Sequence, residues 1–187
     1  EPREWPKVSV VIPSRDAPAL IGEVLAGLFE RTDYPDFDVT IVDNGTTDPA
    51  TLAVYQRFAS PRLRVEIRPA PFNFSRAVNR GAALSDGPLI LLLNNDIEIA
   101  DPGWLKEMVS GFDYPDVGVV GAKLLYPDGS LQHAGVIAGL GGYAGHWHIG
   151  RPESEFGPQR RLAVRQSLSV VTGACMLASR ECFERLG

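Results

Sequence analysis

The stretch Pro88-Leu89-Ile90-Leu91-Leu92-Leu93-Asn94-Asn95-Asp96-Ile97-Glu98-Ile99 decides the fold of this chain. An uninterrupted aliphatic run gives way abruptly to Asn94, Asn95 and Asp96. The run is far shorter than the roughly 20 residues of a membrane span and suits a strand buried on both faces, as inside a parallel sheet. Open α/β sheets bind ligands beyond the carboxyl ends of such strands. A carboxylate at that point, Asp96, is placed to hold a divalent cation, with two Asn amides beside it. Taken alone, the same pattern also describes a polar strand end entering a turn, so the surrounding chain has to decide.

Working outward, strands and helices alternate. Residues 8–13 form a compact strand stopped by Pro13, and 19–31 carry Leu20, Val24, Leu25, Leu28 and Phe29 at helical spacing. A strand over 37–42 ends in Asp43-Asn44-Gly45, a strong turn signal, and Asp48-Pro49 caps a helix running to about Phe58. A strand follows at 63–67, then a helix over 73–84 with Phe74, Val78 and Ala82 on one face. After the aliphatic strand, Asp101-Pro102 opens a helix through Met108 and Phe112. This alternation predicts an α/β fold with a mostly parallel, doubly wound sheet. The later residues read as a smaller, mixed or antiparallel portion: strands at 117–121, 122–126 and 131–138 around a Pro127-Asp128-Gly129 turn, and a Gly-rich stretch. A polar loop over 150–166, a strand at 169–177 and a helix from Arg180 capped by Gly187 complete it.

Composition narrows the class. The chain has 187 residues, 44% hydrophobic and 22% charged, which suits one globular domain with a sizeable core. We expect residues 1–100 to form a nucleotide-binding half and 101–187 an acceptor-side half, as a piece of a longer chain. A net charge of −5 argues against a nucleic-acid surface. Cys175 and Cys182 stand without CxxC or HxxxH partners, which points to reduced thiols and no zinc site. The first residues carry no leader pattern and no run reaches membrane-spanning length, so a cytoplasmic place is expected, with transient contact at the inner membrane face at most. Arg160, Arg161 and Arg165 are the basic cluster for such a contact.

In a parallel sheet the polar strand ends Pro13-Ser14-Arg15, Asp43-Asn44-Gly45 and Asn94-Asn95-Asp96 lie side by side. Together they offer what a nucleoside diphosphate needs: a carboxylate for base or ribose, a cation or metal for phosphate, and small turn residues for close backbone approach. Neither G-x-G-x-x-G nor G-x-x-x-x-G-K-[ST] follows the first strand, which excludes a dinucleotide-binding Rossmann domain and a P-loop.

Four ordered segments, Val-Ser-Val-Val-Ile-Pro-Ser-Arg (8–15), Ile-Val-Asp-Asn-Gly-Thr-Thr-Asp (41–48), Asn-Phe-Ser-Arg-Ala-Val-Asn-Arg-Gly (73–81) and Leu-Leu-Leu-Asn-Asn-Asp (91–96), together resemble family 2 glycosyltransferases of the GT-A fold. Thr172-Gly173-Ala174-Cys175 is similar to that family's later segment, and Leu131-Gln132-His133-Ala134-Gly135-Val136 with Gly145-His146 resembles its rhamnosyltransferase-like, O-antigen branch. The resemblance implies inverting transfer of a sugar from a nucleotide-diphosphate donor to a glycan or lipid-linked acceptor, with Mg2+ or Mn2+. It implies that Pro13, Ser14 and Arg15 line the nucleotide pocket. Asp43 would bond the base with Asn44 near it, and Asn79 and Arg80 would lie by the nucleotide. Asn94-Asn95-Asp96 occupies the D-x-D position, and with Asn94 in place of the first acid only Asp96 remains as a metal ligand. The family's general base falls beyond this chain, so donor binding with poor turnover is the expectation.

For His133, His146 and His148 three readings stand: a metal cluster, an acceptor-side role for His133 and His146 with Trp147 as a sugar-stacking platform, or ordinary packing. Two other functional classes also stand beside sugar transfer. A sugar nucleotidyltransferase would want a Gly-rich, Arg-containing phosphate loop after the first strand, which is missing; a non-catalytic sugar-nucleotide-binding module is favoured only by Asn94 and by the family's later segment falling beyond this chain.

Overall fold

The computed structural model describes residues 4–186; Gly187, expected as a helix cap, and Glu1, Pro2 and Arg3 lie outside them. In chain order the first elements are β1 (Val8–Ser14), α1 (Pro18–Ala26), β2 (Phe37–Asp43), α2 (Pro49–Arg57), β3 (Leu63–Ile67), α3 (Phe74–Ala83) and β4 (Leu89–Leu93). The aliphatic run is β4, buried at every position, as a strand without a polar face requires. α4 (Trp104–Val109) and β5 (Val119–Gly121) follow, and the chain closes with β10 (Cys175–Ser179) and α5 (Arg180–Leu186). The sheet runs β3-β2-β1-β4-β10-β5, and β1 is parallel to both of its neighbours, as β2 is to β3.

This order fixes where a ligand can sit. From β1 the chain steps outward to β2 and β3, then returns to the other side of β1 for β4. The winding therefore reverses between β1 and β4. Right-handed crossovers put α1 and α2 on one face of the sheet and α3 on the other. Between these layers lies a core of Ile12, Ile21, Leu25, Leu28, Phe37, Ile41, Ile90, Leu91 and Leu105, all essentially without solvent contact. α3 comes so close to β1 that a Cβ on Gly81 would lie 2.2 Å from Val11 Cγ1.

Caps follow their sequence signals. Asp48 accepts from the N–H groups of Ala50 and Thr51 at the start of α2, with Pro49 in the first turn, and Asn73 accepts from Arg76 N–H at the start of α3. Two helices differ from expectation. The one expected over 19–31 is regular only to Ala26 and widens into a π turn over Gly27–Arg31. The one expected from Asp101 begins at Trp104, because Asp101 Oδ1 accepts the Gly103 N–H at 2.6 Å and spends its capping capacity in a local turn.

The chain divides into two compact units, Gly121–Met176 and the remainder of the described residues. Within Gly121–Met176, β6 (Leu124–Leu125) pairs antiparallel with β7 (Leu131–His133), and β8 (Val136–Ala138) with β9 (Ala144–His146). The strand expected over 131–138 breaks at Gly135, whose φ of +108° suits glycine, and the Leu168 side chain fills the space a Cβ would take. The strand expected over 169–177 starts only at Cys175, and Val170 makes a single bridge to Val136.

Candidate active site

β1 and β2 stay paired to their ends, Ser14 opposite Asp43, whereas the β1–β4 pairing stops at Val11 opposite Leu92. Beyond that pair the ladder ends, at the point where the winding reverses and doubly wound sheets open a crevice. Asn95 Nδ2–H donates across the gap to Ser14 Oγ at 3.1 Å. Asp96, the next residue, is exposed, with Asn94 and Asn95 half-buried behind it. On the facing tip Pro13 is half-buried, Ser14 buried and Arg15 exposed.

Asp16, which has no part in the sequence motifs, ties this tip to the next. Its Oδ1 accepts the N–H groups of Thr47 and Asp48 at 2.9 and 3.0 Å, and its own N–H donates to Thr46 Oγ1 at 2.9 Å. Those backbone donors hold its carboxyl below the usual range. Only the positive φ of Asp16, +40°, marks the sharp turn, and such a conformation is not written in the sequence.

The base contact expected of Asp43 is not open. Its side chain has no solvent exposure, Oδ1 accepts the N–H groups of Gly45 and Thr46 at 2.9 and 2.6 Å, and Oδ2 accepts Tyr55 O–H at 2.6 Å. Asp43 is the internal keystone of the turn. Gly45, at φ +91° and pressed on Pro69, is the residue that lets the chain close around it. The surface of this tip belongs to half-buried Asn44, whose Nδ2–H donates to Ala70 O at 3.0 Å.

α3 contributes less than its motif implies. Arg80 is committed to Glu66, with Nε 3.0 Å from both carboxylate oxygens and a second nitrogen at 2.8 Å from Oε1, and it holds that carboxyl below its usual range. Asn79 is exposed but lines a separate hollow of about 220 Å³ with Ala82, Arg180, Phe183 and Glu184. Arg68 was the missed cation. It follows β3 at the carboxyl edge, donates its N–H to Asp43 O at 2.8 Å and leaves its side chain largely exposed. Its position directly after a strand was a usable signal. A larger hollow, about 320 Å³, lies at the amino ends of the strands, where Lys7 already pairs with Asp38 and Asp86.

A hard divalent cation takes oxygen donors, commonly one or two carboxylates completed by substrate phosphate and water. Among the described residues no group of three or more His, Cys, Asp or Glu side chains converges on one point. Asp96 is a single exposed carboxylate beside two amides. That donor set fits a cation shared with a diphosphate, not one caged by protein alone.

In Gly121–Met176, buried His133 and exposed His146 meet through their Nδ1 atoms at 3.1 Å, and Thr172 N–H donates to His133 Nε2 at 3.3 Å. An N–H facing Nε2 requires that nitrogen to be bare, so the His133 proton sits on Nδ1 and points at His146. This tautomer argues against the metal reading, which needs Nδ1 free. Trp147 carries the Arg161 guanidinium over its ring at 4.8 Å and leans on the His148 ring at 4.3 Å, which covers part of the proposed sugar platform.

Burial, and secondarily the like charge of His146, push His133 down to about 4. A depressed folded pKa means that the unfolded chain binds the proton more readily, so stability is full above about 6.5 and falls as pH drops toward 4. Urea denaturation at pH 7.5 and pH 5 is expected to show a loss of about 2 kcal/mol from this group, absent in His133→Asn. An equal loss in the variant would contradict it.

Comparison with known proteins agrees with this architecture. The profile described as glycosyl transferase family 2 matches residues 9–187. The chain is 43% identical over 189 residues to an O-antigen biosynthesis protein, RfbC, of Myxococcus xanthus, covering 99% of this chain and 15% of that protein. It is 25% identical over 185 residues to the N-acetylglucosaminyl-diphospho-decaprenol L-rhamnosyltransferase of Mycobacterium tuberculosis, covering 87% of this chain and 58% of that one. A solved mannosyltransferase from Pyrobaculum calidifontis, in complex with GDP-Man and Mn2+, superposes with a TM-score of 0.68 at 21% identity, over 99% of this chain and 48% of that one. The chain thus spans only part of each relative's length, and its sheet is that of the GT-A fold. With nearly every residue inside the family profile, the chain belongs to glycosyltransferase family 2.

Proposed function

We propose that the carboxyl edge of this sheet binds the nucleoside diphosphate of a sugar donor, for inverting transfer to a glycan or lipid-linked acceptor in bacterial surface-polysaccharide synthesis. The observation that carries the reading is the end of the β1–β4 ladder at Val11 and Leu92, with Asp96 exposed just beyond it. The names of the O-antigen and rhamnosyltransferase relatives support the polysaccharide context. Pro13, Ser14 and Arg15 would line the pocket, with Arg15 and Arg68 offsetting phosphate charge. Asp96 would hold Mg2+ or Mn2+, which when bound neutralises charge gathering on the leaving diphosphate. We assign no general base among these residues.

Asn44 would read the base. With one Nδ2–H bonded to Ala70, its Oδ1 would face the ring nitrogen that carries a hydrogen in uracil, thymine and guanine and none in cytosine and adenine. Residues 121–176 carry five Lys and Arg against three Asp and Glu in a chain of net charge −5, which suits the diphosphate of a lipid-linked acceptor. His133, His146 and Trp147 belong to that acceptor side in this reading. No helix among the described residues is long and apolar enough to cross a membrane.

Calorimetric titration with UDP, dTDP, GDP, CDP and ADP, each with and without Mn2+, tests the reading. Mn2+-dependent binding of at least one of the first three is expected, with CDP and ADP about tenfold weaker or worse. Failure of all five to bind would remove the proposal, and tight ADP binding would remove the Asn44 assignment.

A further inference from the structure

Asp16 lies outside the motifs, yet its carboxylate completes the turn that follows β2. That turn has four successive backbone N–H groups, at Gly45, Thr46, Thr47 and Asp48, and two aspartates accept all of them. Asp43 Oδ1 takes the first two from inside, at 2.9 and 2.6 Å. Asp16 Oδ1 takes the last two from the neighbouring strand tip, at 2.9 and 3.0 Å. The Asp16 N–H in turn donates to Thr46 Oγ1 at 2.9 Å. Asn44 stands at the head of the turn, and its own N–H donates to Ser14 O at 2.9 Å. Residues 44–48 are therefore fastened to the end of β1 twice, through Ser14 at the start and Asp16 at the finish.

These bonds are held against backbone strain. The φ of Asp16, +40°, lies in the left-handed region, which glycine enters freely and other residues seldom do. A turn that needed the conformation alone would be served best by glycine. What glycine lacks is the carboxylate, and strain kept at a strand tip beside a binding edge points to function. The other oxygen, Oδ2, accepts Arg15 Nε–H at 3.2 Å. One side chain thus touches both the cation proposed to offset phosphate and the turn that presents Asn44.

We infer that Asp16 is a positioning residue for recognition of the nucleotide base, acting through Thr47 and Asp48 on where Asn44 stands. The inference rests on the base contact proposed above. Three substitutions separate the acceptor from the charge and the backbone. Asp16→Asn keeps a carbonyl for the two N–H groups and tolerates the left-handed backbone, but loses the charge and the bond from Arg15. Asp16→Ala loses the acceptor as well, and Asp16→Gly loses it while relieving the backbone. All three lack the charge, so the acceptor alone sets Asp16→Asn apart from Asp16→Gly at a backbone both can adopt. With Mn2+, the Ala and Gly variants are expected to bind the nucleotide the wild type prefers among UDP, dTDP and GDP about tenfold more weakly than Asp16→Asn does, by calorimetry. Their preference for it over CDP should also shrink from about tenfold toward equality, while Asp16→Asn keeps it. Equal binding by Asp16→Asn and Asp16→Gly overturns the inference. So does a loss in Asp16→Gly that leaves the base preference intact, because that is general support of the fold. Should Asp16→Ala fail to fold, Asp16→Gly carries the comparison. A wild type that binds none of these nucleotides, or binds them without regard to base, overturns the proposed base contact and this inference with it. A wild type that discriminates, with all three variants discriminating equally well, overturns the inference alone.

Discussion

Asp43→Ala is expected to lower the stability of the chain by about 4 kcal/mol, which is about 10 °C in Tm for a domain of this size. The substitution deletes a fully buried carboxylate and orphans the N–H groups of Gly45 and Thr46 and the hydroxyl of Tyr55. A buried donor that loses its acceptor costs about 1–3 kcal/mol, and no water can reach this one without opening the turn. Asp43→Asn should cost much less, because its carbonyl can still accept from the turn while Tyr55 accepts from the new amide. Differential scanning calorimetry of both variants decides the matter. A wild-type Tm for Asp43→Ala, together with lost nucleotide binding, would make Asp43 a ligand contact and not the keystone described here.

Asp96→Asn is expected to do the opposite. Its side chain is exposed, so stability should stay within about 0.5 kcal/mol of the wild type. Affinity for whichever of UDP, dTDP and GDP the wild type binds should fall by about 100-fold in the presence of Mn2+, about 2.8 kcal/mol, while affinity without metal changes little. Within Asn94-Asn95-Asp96 the one carboxylate is Asp96, with two uncharged amides beside it. Retention of the metal-dependent gain would place the cation elsewhere.

The contrast between these two aspartates shows what the sequence carries and what it hides. β4 was legible because a strand buried on both faces must be apolar throughout, and the caps at Asp48 and Asn73 because capping needs particular side chains at particular places. The convergence of three strand tips followed from the alternation of strands and helices. Which of two adjacent polar residues turns inward did not. β2 is buried along almost its whole length, so alternation gives no facing for Asp43 against Asn44. The pairing of Arg80 with Glu66, 14 residues away, is likewise written in no local pattern. Tyr55 and Asp16 act through hydrogen bonds that no short pattern encodes. In Gly121–Met176 the strands are two or three residues long, and there a single glycine, Gly135, outweighs β propensity.

The central claim is that one acidic side chain at the β1–β4 opening holds a cation beneath a bound diphosphate. Paramagnetic broadening by Mn2+, added with saturating UDP to nitrogen-labelled protein, tests it most directly. The account predicts the strongest loss of amide signal at Asn94, Asn95 and Asp96, then at Ser14 and Arg15. Broadening centred on the two histidines, or none above that of free Mn2+, would contradict it.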